Sequence, residues 1–233
     1  MRKALVVLSG GQDSTTCLYH AKMNYDEVHA VTFNYGQKHA VELQSARTIA
    51  ELAGVASHEI VNVGPILAGT SPLVNPEYEV ESYASADVLP GGLEKTFVPG
   101  RNALFLILAA NRAYALRCNA IYTGVCQADS GGYPDCRQDF INSIQETINY
   151  GFRFDDNDPF KVEIITPLMD LTKAESVVLA QQLPGCMEAL AYSHTCYNGA
   201  TPPCGTCHAC LLRSRGFEDA GVADPLVERF ANA

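Results

Sequence analysis

The stretch LSGGQDSTTC, close to the start of the chain, combines two adjacent glycines with hydroxyl side chains and a carboxylate. Gly10 and Gly11 let the backbone approach a ligand closely, and Ser9 and Ser14 add hydroxyl groups. A helix that starts after the glycines would direct its free N–H groups, up to Thr15, and its positive dipole end toward one point. The stretch therefore predicts an anion site. The alternative is a plain glycine turn in which Ser14 is the helix N-cap.

The glycine stretch matches neither of the two common phosphate motifs, because it lacks both the Gly-Lys-Ser/Thr ending and the Gly-x-Gly-x-x-Gly pattern. Asp13 lies inside the stretch, where a carboxylate by itself would repel phosphate groups. A Mg²⁺ ion held by Asp13 would bridge to the phosphates and turn that charge into a ligand. We therefore predict Mg²⁺ beside the anion.

A second group of reactive side chains lies in CYNGATPPCGTCHAC, which contains Cys196, Cys204, Cys207 and Cys210. Four thiolates on turns rich in Gly and Pro can form a tetrahedron with no open position, which is typical of structural zinc. Three alternatives stay open: His208 in place of one cysteine, a four-thiolate iron–sulfur cluster, and reduced core cysteines. The remaining cysteines, predicted to be small core or loop residues, are Cys17, Cys118, Cys126, Cys136 and Cys186.

Two cationic side chains stand at predicted starts of helices, Lys173 in TPLMDLTKAE and Arg101 in FVPGRN. The helix dipole disfavours a cation in the first turn, so an anionic partner would explain both positions. The guanidinium of Arg101 also suits bidentate contact with a phosphate or a carboxylate. The alternative for each residue is an ordinary position on the solvent-exposed surface.

The segment TGVCQADSGGYPDCR, residues 123–137, follows a strand-like run and contains the carboxylates Asp129 and Asp135. A carboxylate accepts two hydrogen bonds from a guanine-like edge. The segment is therefore a candidate for binding a heterocycle with N–H donors. An ordinary surface loop with turn-forming residues is the alternative.

The elements that must position these side chains alternate between two patterns. Apolar runs typical of buried parallel strands recur at residues 4–8, 28–33, 59–63, 120–125 and 162–165. Stretches compatible with helices lie at residues 14–23, 38–53, 101–117, 139–150 and 173–182. The alternation predicts an α/β fold with a doubly wound, mostly parallel sheet. Ligands on such sheets bind outside the carboxyl ends of the strands.

Two segments fall outside this alternation. Residues 64–96 combine Pro, Gly, Ser and acidic residues with weak periodicity, and we expect them to form an excursion over the site. The cysteine-rich end predicts a small zinc-binding module. We therefore divide the chain into a nucleotide-binding domain, residues 1–183, and a C-terminal module, residues 184–233.

The composition of the 233 residues limits the classes of function. A formal charge of −10 and a pI near 5.0 argue against a surface built to hold a nucleic-acid backbone. Nine cysteines without an export signal or a membrane-length apolar run predict a cytoplasmic protein. Grouped cysteines in that compartment bind metal more often than they form disulfides. Small-molecule chemistry, without nucleic-acid or membrane contact, is the class that these features favour.

The stretches LSGGQDS and TPLMDLTKAE resemble the pyrophosphate loop and the lysine segment of the ATP-pyrophosphatase (PP-loop) superfamily. The resemblance implies a fold like that of the adenine nucleotide alpha hydrolases, with ATP as cosubstrate. Members of the superfamily cleave ATP between its α- and β-phosphates and adenylate a substrate, and their lysine reaches the phosphates. The residues assigned to ATP binding are Leu8, Ser9, Gly10, Gly11, Gln12, Asp13, Ser14, Thr15, Thr16, Cys17 and Leu18.

Four stretches, TFNYGQKH, FVPGRN, TGVC…GYPDC and TCYNG…CGTCHAC, extend the likeness over nearly the whole chain to the family of 7-cyano-7-deazaguanine synthases. This resemblance implies conversion of 7-carboxy-7-deazaguanine and ammonia to the nitrile through adenylated intermediates, on the route to queuosine in tRNA. It also implies a homodimer. The catalytic assignment is Lys173, Arg101 and Asp13, and the substrate-binding assignment is Asp129, Tyr133 and Asp135.

Two other functions stay open. A PP-loop enzyme of the thiolation or lysidine type would adenylate a tRNA base, with Cys126 and Cys136 handling sulfur. Its tRNA binding would depend steeply on salt. A non-catalytic, zinc-stabilised ATP-binding protein would use the same glycine loop and cysteine cluster without releasing pyrophosphate.

Overall fold

A computed structural model describes residues 1–37, 41–67, 69, 71–127, 132–152 and 160–231. Its strands form one sheet in the order β3-β2-β1-β4-β5, and every neighbouring pair is parallel. The strands are β1 (Lys3–Val7), β2 (Glu27–Asn34), β3 (Ser57–Asn62), β4 (Ala120–Tyr122) and β5 (Glu163–Ile165). The predicted doubly wound parallel sheet is thereby confirmed.

The helices are α1 (Gln12–Asn24), α2 (Val41–Ala53), α3 (Arg101–Leu116), α4 (Gln138–Gly151), α5 (Lys173–Gln182), α6 (Cys186–Leu190), α7 (His208–Asp219) and α8 (Pro225–Ala231). Helices α1 to α5 confirm the predicted ones, although residues 38–40 at the predicted start of α2 lie outside the described residues. The sequence pattern does not predict α6 to α8, because these helices are short or contain glycine and cysteine that hide an apolar period. Within the described ranges, no helix combines the length and apolar character that a membrane crossing requires.

Helices cover both faces of the sheet, which explains why its strands show no alternation of polar and apolar residues. On one face, Val6 of β1 packs with Leu18 of α1 and with residues of α2 and the C-terminal helices. On the other face, Leu5 packs with Leu106 of α3 and Ile141 of α4. The sheet is therefore the middle layer of a three-layer arrangement.

The C-terminal segment packs against the first face of the sheet, where Cys186 and Phe217 belong to the same apolar cluster as Val6. Cys186 and Phe217 follow the predicted boundary between residues 183 and 184, and Val6 precedes it. The division into a nucleotide-binding domain and a C-terminal module stays a prediction, since packing in one cluster does not measure independent folding.

The excursion after β3 is connected to the C-terminal segment. The Tyr83 N–H donates to the carbonyl oxygen of Thr206 at 2.8 Å, and Arg215 forms an ion pair with Asp87 at 2.8 Å. Leu73 of the excursion lines a cavity at the carboxyl ends of the strands. This position agrees with the expectation that the excursion covers the site.

Strand β1 marks the point at which the order of the strands changes direction. The chain passes from β1 to β2 on one side, whereas β4 pairs with β1 on the other side. Such a change opens a crevice outside the carboxyl ends of the two central strands. The glycine loop follows β1 and therefore lies at this crevice.

Candidate functional site

A cavity of about 310 Å³ opens at the carboxyl ends of the strands. Its wall is formed by the loop after β1, the start of α3, the segment after β4 and the start of α5. The lining residues from the predicted motifs include Ser9, Gly11, Asp13, Arg101, Tyr133 and Lys173. Motifs that are distant in the sequence therefore meet in one site.

The glycine loop leads directly into helix α1, whose N-cap is Gly11. No side chain of the described residues caps this helix, so its first N–H groups are available to an anion. Ser14 lies inside the first turn, where its hydroxyl contacts Ser9 Oγ at 3.0 Å and donates to the Gly11 carbonyl oxygen at 3.2 Å. The alternative in which Ser14 is the N-cap is therefore wrong.

The two glycines of the loop have different surroundings. Gly10 has a φ of +88°, and a Cβ there would lie 2.5 Å from the carbonyl oxygen of Glu42 and 2.8 Å from the nitrogen of Ala46. Gly11 has a φ of −85°, and a Cβ there would meet its nearest atom, Ser9 Oγ, at 3.5 Å. Gly10 thus lets the loop pack on α2, whereas Gly11 leaves space on the side of the cavity.

The segment assigned to ATP binding divides into two groups. The residues that line the cavity are Leu8, Ser9, Gly11, Gln12, Asp13 and Ser14. The residues that do not line it are Gly10, Thr15, Thr16, Cys17 and Leu18. Cys17 and Leu18 belong to the apolar core, so their side chains support the helix instead of facing a ligand.

Asp13 and Lys173 form an ion pair at the cavity, with 2.6 Å between Lys173 Nζ and Asp13 Oδ2. Lys173 is the first residue of α5, which begins with a capping box formed by Thr172 and Glu175. Helix α7 packs closely here, because a Cβ added at Gly216 would lie 2.7 Å from the Cβ of Lys173. The carboxylate of Asp13 is thus an anionic partner for a cation at this helix start.

The second carboxylate oxygen of Asp13, Oδ1, is buried and has no hydrogen-bond partner among the described residues. A buried acceptor without a partner costs about 1–3 kcal/mol, and more when it is charged. Hard divalent cations take carboxylate oxygens as ligands. Asp13 therefore fits the predicted Mg²⁺ position.

Arg101 starts α3 directly after Gly100, whose φ of +77° requires a left-handed backbone. Its guanidinium lies near the hydroxyls of Tyr35, Tyr133 and Tyr197. Burial raises the pKa of Tyr35, and the nearby guanidinium opposes that increase. Tyr35 therefore keeps its proton beside Arg101, and both residues line the cavity.

Glu42 also lines the cavity, although no sequence motif singles it out. It lies in the first turn of α2. Burial raises its pKa from 4.5 to about 7, Arg101 opposes that increase, and the thiolate of Cys196 adds to it. One sequence signal was available, because helix starts that follow parallel strands converge on the same edge of the sheet.

Only part of the loop that we predict to bind a heterocycle, residues 123–137, lies at the cavity. Asp129 lies outside the described residues. Tyr133 lines the cavity, and its hydroxyl lies 2.6 Å from Thr96 Oγ1. Asp135 is buried, its main-chain carbonyl accepts a hydrogen bond from Asn102 at 3.3 Å, and it is not among the described lining residues. The structure thus places Tyr133 in the cavity wall, and substrate binding by Asp135 stays a prediction.

The sulfur atoms of Cys196, Cys204, Cys207 and Cys210 all lie within 4.8 Å of one another. The neighbouring thiols of Cys207 and Cys210 lower the pKa of Cys196, and the pKa of Cys207 and of Cys210 is raised in return. His208 is not part of this group and lies 3.2 Å from Glu94 through its Nε2 atom. The four cysteines could therefore hold a metal ion, and the alternative with His208 as a ligand is wrong.

The segments that carry these cysteines also form one wall of the cavity. The lining residues they contribute are His194, Thr195, Tyr197, His208, Ala209 and Leu212. The N–H of His194 donates to the Gly10 carbonyl oxygen at 2.8 Å. The cysteine-rich segment therefore contacts the glycine loop directly, a link that neither motif predicts by itself.

Comparison with known proteins finds one matching family and several named relatives. A family model described as "Queuosine biosynthesis protein QueC" matches residues 3–221. A relative from Gloeobacter violaceus named 7-cyano-7-deazaguanine synthase is 55% identical over 97% of this chain and 96% of its own. A relative of the same name from Chromobacterium violaceum is 50% identical over 97% of this chain and 94% of its own.

One solved structure shares the fold. It is a crystal structure of a 4-thiouridine synthetase–RNA complex with bound ATP, 20% identical to this chain with a TM-score of 0.51. The match covers 99% of this chain and 53% of that one, so the chain spans about half the length of this neighbour. At this identity the likeness concerns the fold alone.

Proposed function

The chain belongs to the family of the queuosine biosynthesis protein QueC, and we propose that it converts 7-carboxy-7-deazaguanine and ammonia to 7-cyano-7-deazaguanine with ATP as cosubstrate. The observation that carries this proposal is the likeness, over nearly the full length, to proteins named 7-cyano-7-deazaguanine synthase. The cavity supports it, because it combines an uncapped helix start with two cations and a carboxylate suited to Mg²⁺.

The reaction requires activation, because a carboxylate is a poor electrophile. In the first half, the substrate carboxylate attacks the α-phosphate of ATP and pyrophosphate leaves. Ammonia then attacks the carbonyl carbon of the adenylate, and AMP leaves to give the amide. In the second half, the amide oxygen attacks the α-phosphate of another ATP, and loss of AMP forms the nitrile.

We assign the leaving pyrophosphate to the glycine loop, where Gly11 lines the cavity and the first N–H groups of α1 are uncapped. Lys173 and Arg101 would offset the charge that develops while the α-phosphate is transferred. Asp13 would hold Mg²⁺ through Oδ1, the oxygen that Lys173 does not occupy. An enclosed cavity would also keep water from the adenylates.

We propose that the ion held by the four cysteines is zinc and that its role is structural. Four thiolates fill a tetrahedral site, so no position is left for a reacting water. Because the same segments line the cavity, the metal would stabilise one wall of the site. For partners, we propose the deazapurine carboxylate, ammonia and a second copy of the chain in a homodimer.

The test is mass spectrometry of the products after incubation of the purified protein with ATP, ammonia and 7-carboxy-7-deazaguanine. We expect the nitrile, the intermediate amide, AMP and pyrophosphate. Pyrophosphate release that requires tRNA instead of the deazapurine would contradict the proposal and favour a tRNA-adenylating enzyme. No turnover with any of these substrates would favour an ATP-binding protein without catalysis.

A further inference from the structure

We propose that the carboxylate of Glu42 is the base that accepts the protons lost by nitrogen during amide and nitrile formation, an inference that rests on the proposed function. All hydrogens of ammonia must leave as protons before the nitrile forms. Neither the glycine loop nor the two cations can accept them. The cavity must therefore supply a basic group, and its lining offers the carboxylates of Asp13 and Glu42 and the imidazoles of His194 and His208. We choose Glu42 among them for the reasons that follow.

Glu42 occupies a suitable place in the cavity. It stands in the first turn of α2 and belongs to the cavity wall. The glycine loop packs directly on this turn, since a Cβ at Gly10 would lie 2.5 Å from the Glu42 carbonyl oxygen. Glu42 and the proposed pyrophosphate loop therefore border the same space.

Within the part of the chain that the structure describes, no side chain pairs with the Glu42 carboxylate. Among the described residues, those with carboxylates that line the cavity are Asp13 and Glu42. Asp13 is paired with Lys173 at 2.6 Å, whereas no described residue forms a hydrogen bond or an ion pair with the Glu42 carboxylate. A glutamate in a first helical turn also complements the helix dipole, but that role does not require it to face the cavity.

The surroundings of Glu42 suit a base that works near neutral pH. The groups that act on it come from three other segments: Arg101 at the start of α3, Tyr35 after β2 and Cys196 in the metal-binding segment. Burial raises the pKa of Glu42 to about 7, Arg101 lowers it, and Cys196 raises it. A metal on Cys196 would weaken the last effect and leave the first. General bases are most effective with a pKa close to the working pH.

Nitrogen loses three protons in total between ammonia and the nitrile. When ammonia forms the C–N bond and AMP leaves, nitrogen gives up one proton to Glu42 and the amide results. After the amide oxygen has displaced pyrophosphate from the second ATP, nitrogen loses its two remaining protons. The electron pairs of those N–H bonds form the C≡N bond while the C–O bond to AMP breaks. The protonated Glu42 side chain releases each proton to water before it accepts the next one.

The experiment compares Glu42→Gln with the wild type in two separate steps. Pyrophosphate release from ATP, in the presence of the carboxylate substrate and without ammonia, reports adenylation. This step needs no base, and we expect its rate to be within about twofold of the wild-type rate. Nitrile formation from the supplied amide and ATP reports proton removal, and we expect it to fall by about 10²–10⁴-fold. Glu51→Gln, on the exposed side of the same helix, is the matched control and should retain both rates.

The pH dependence gives a readout that a structural role would not change. Because the carboxylate must be ionised to act, the wild-type rate from amide to nitrile should rise as the pH increases through about 7. Glu42→Gln should lose this rise, and Glu42→Asp should keep it at a lower rate. If Glu42→Gln does not fold, Glu42→Asp must show the same selective loss in nitrile formation.

Three results would overturn the proposal. Nitrile formation by Glu42→Gln at the wild-type rate shows that another group is the base. Equal loss of adenylation and nitrile formation shows that Glu42 positions Arg101 instead. If the wild-type protein makes no nitrile, the proposed function itself is wrong. The wild-type measurement alone distinguishes this result from the other two.

Discussion

Substitutions of Gly10 and Gly11 should have different effects, because Gly10 packs on α2 and Gly11 faces the proposed anion site. Gly11→Val should fold normally, because a Cβ there meets no atom closer than 3.5 Å, but it should lose ATP affinity and turnover because the side chain occupies the anion space. Gly10→Ala should lose about 1–3 kcal/mol of stability, because its φ is positive and its Cβ meets the backbone of α2. Thermal unfolding and nucleotide titration measure both effects. Wild-type affinity and turnover in Gly11→Val would show that the pyrophosphate lies elsewhere.

Substitution of Lys173 should affect the rate of adenylation much more than the affinity for ATP. If it offsets charge in the transition state, Lys173→Ala should slow adenylation by about 2.7–4 kcal/mol, by analogy with the loss of one oxyanion donor, while ATP affinity changes little. Single-turnover formation of the acyl-adenylate, measured beside nucleotide affinity, checks this. The exposed Lys161 offers Lys161→Ala as a control that should retain both. An unchanged rate in Lys173→Ala would make this lysine a structural partner of Asp13.

At the scale of elements, the cysteine-rich segment contains the proposed metal ligands and also contributes residues to the cavity wall. We expect about one zinc per chain, bound by four thiolates. Removal of the metal by a chelator should abolish turnover while the sheet persists, because His194 and Tyr197 of the same segment line the cavity and the core of the sheet does not include the metal ligands.

Metal analysis and circular dichroism test this expectation, with Cys207→Ser as the variant that lacks one ligand and Cys118→Ser as a matched cysteine outside the cluster. Because thiolates must form before the metal binds, zinc affinity should decrease as the pH falls. Fully active protein with less than about a third of a zinc per chain would contradict a stabilising role for the metal.

At the scale of the whole molecule, the net charge of −10 predicts weak binding of tRNA, whose phosphate backbone requires clustered cations. We expect kcat/KM for the deazapurine to change little between about 50 and 200 mM salt, whereas a protein with several phosphate-backbone contacts would lose about 10³–10⁵ in affinity. Steady-state kinetics across salt concentrations, with added tRNA as a competitor, provide the measurement. Strong inhibition by tRNA that weakens steeply with salt would contradict the expectation.

The chemistry of contiguous residues could be predicted from the sequence because their spacing limits their geometry. Gly10 and Gly11 follow a buried strand and precede a helix, so the loop had to present N–H groups at that helix start. The spacing of Cys204, Cys207 and Cys210 likewise brings sulfur atoms together across short turns. The alternation of apolar runs with helical stretches was sufficient to predict the parallel sheet. Long right-handed crossover connections between strands allow few other strand arrangements.

Contacts between distant segments were decided by tertiary packing. Lys173 meets Asp13 across 160 residues, and Glu42 enters the cavity because Gly10 allows the loop to approach α2. Asp135 is buried near Arg101 and is not among the residues that line the cavity. The parallel sheet, the glycine loop at a helix start and the cysteine cluster were therefore predictable from the sequence, because short lengths of chain join their groups. The set of charges that share the cavity was not, because it depends on how closely helices pack on the loop and on one another.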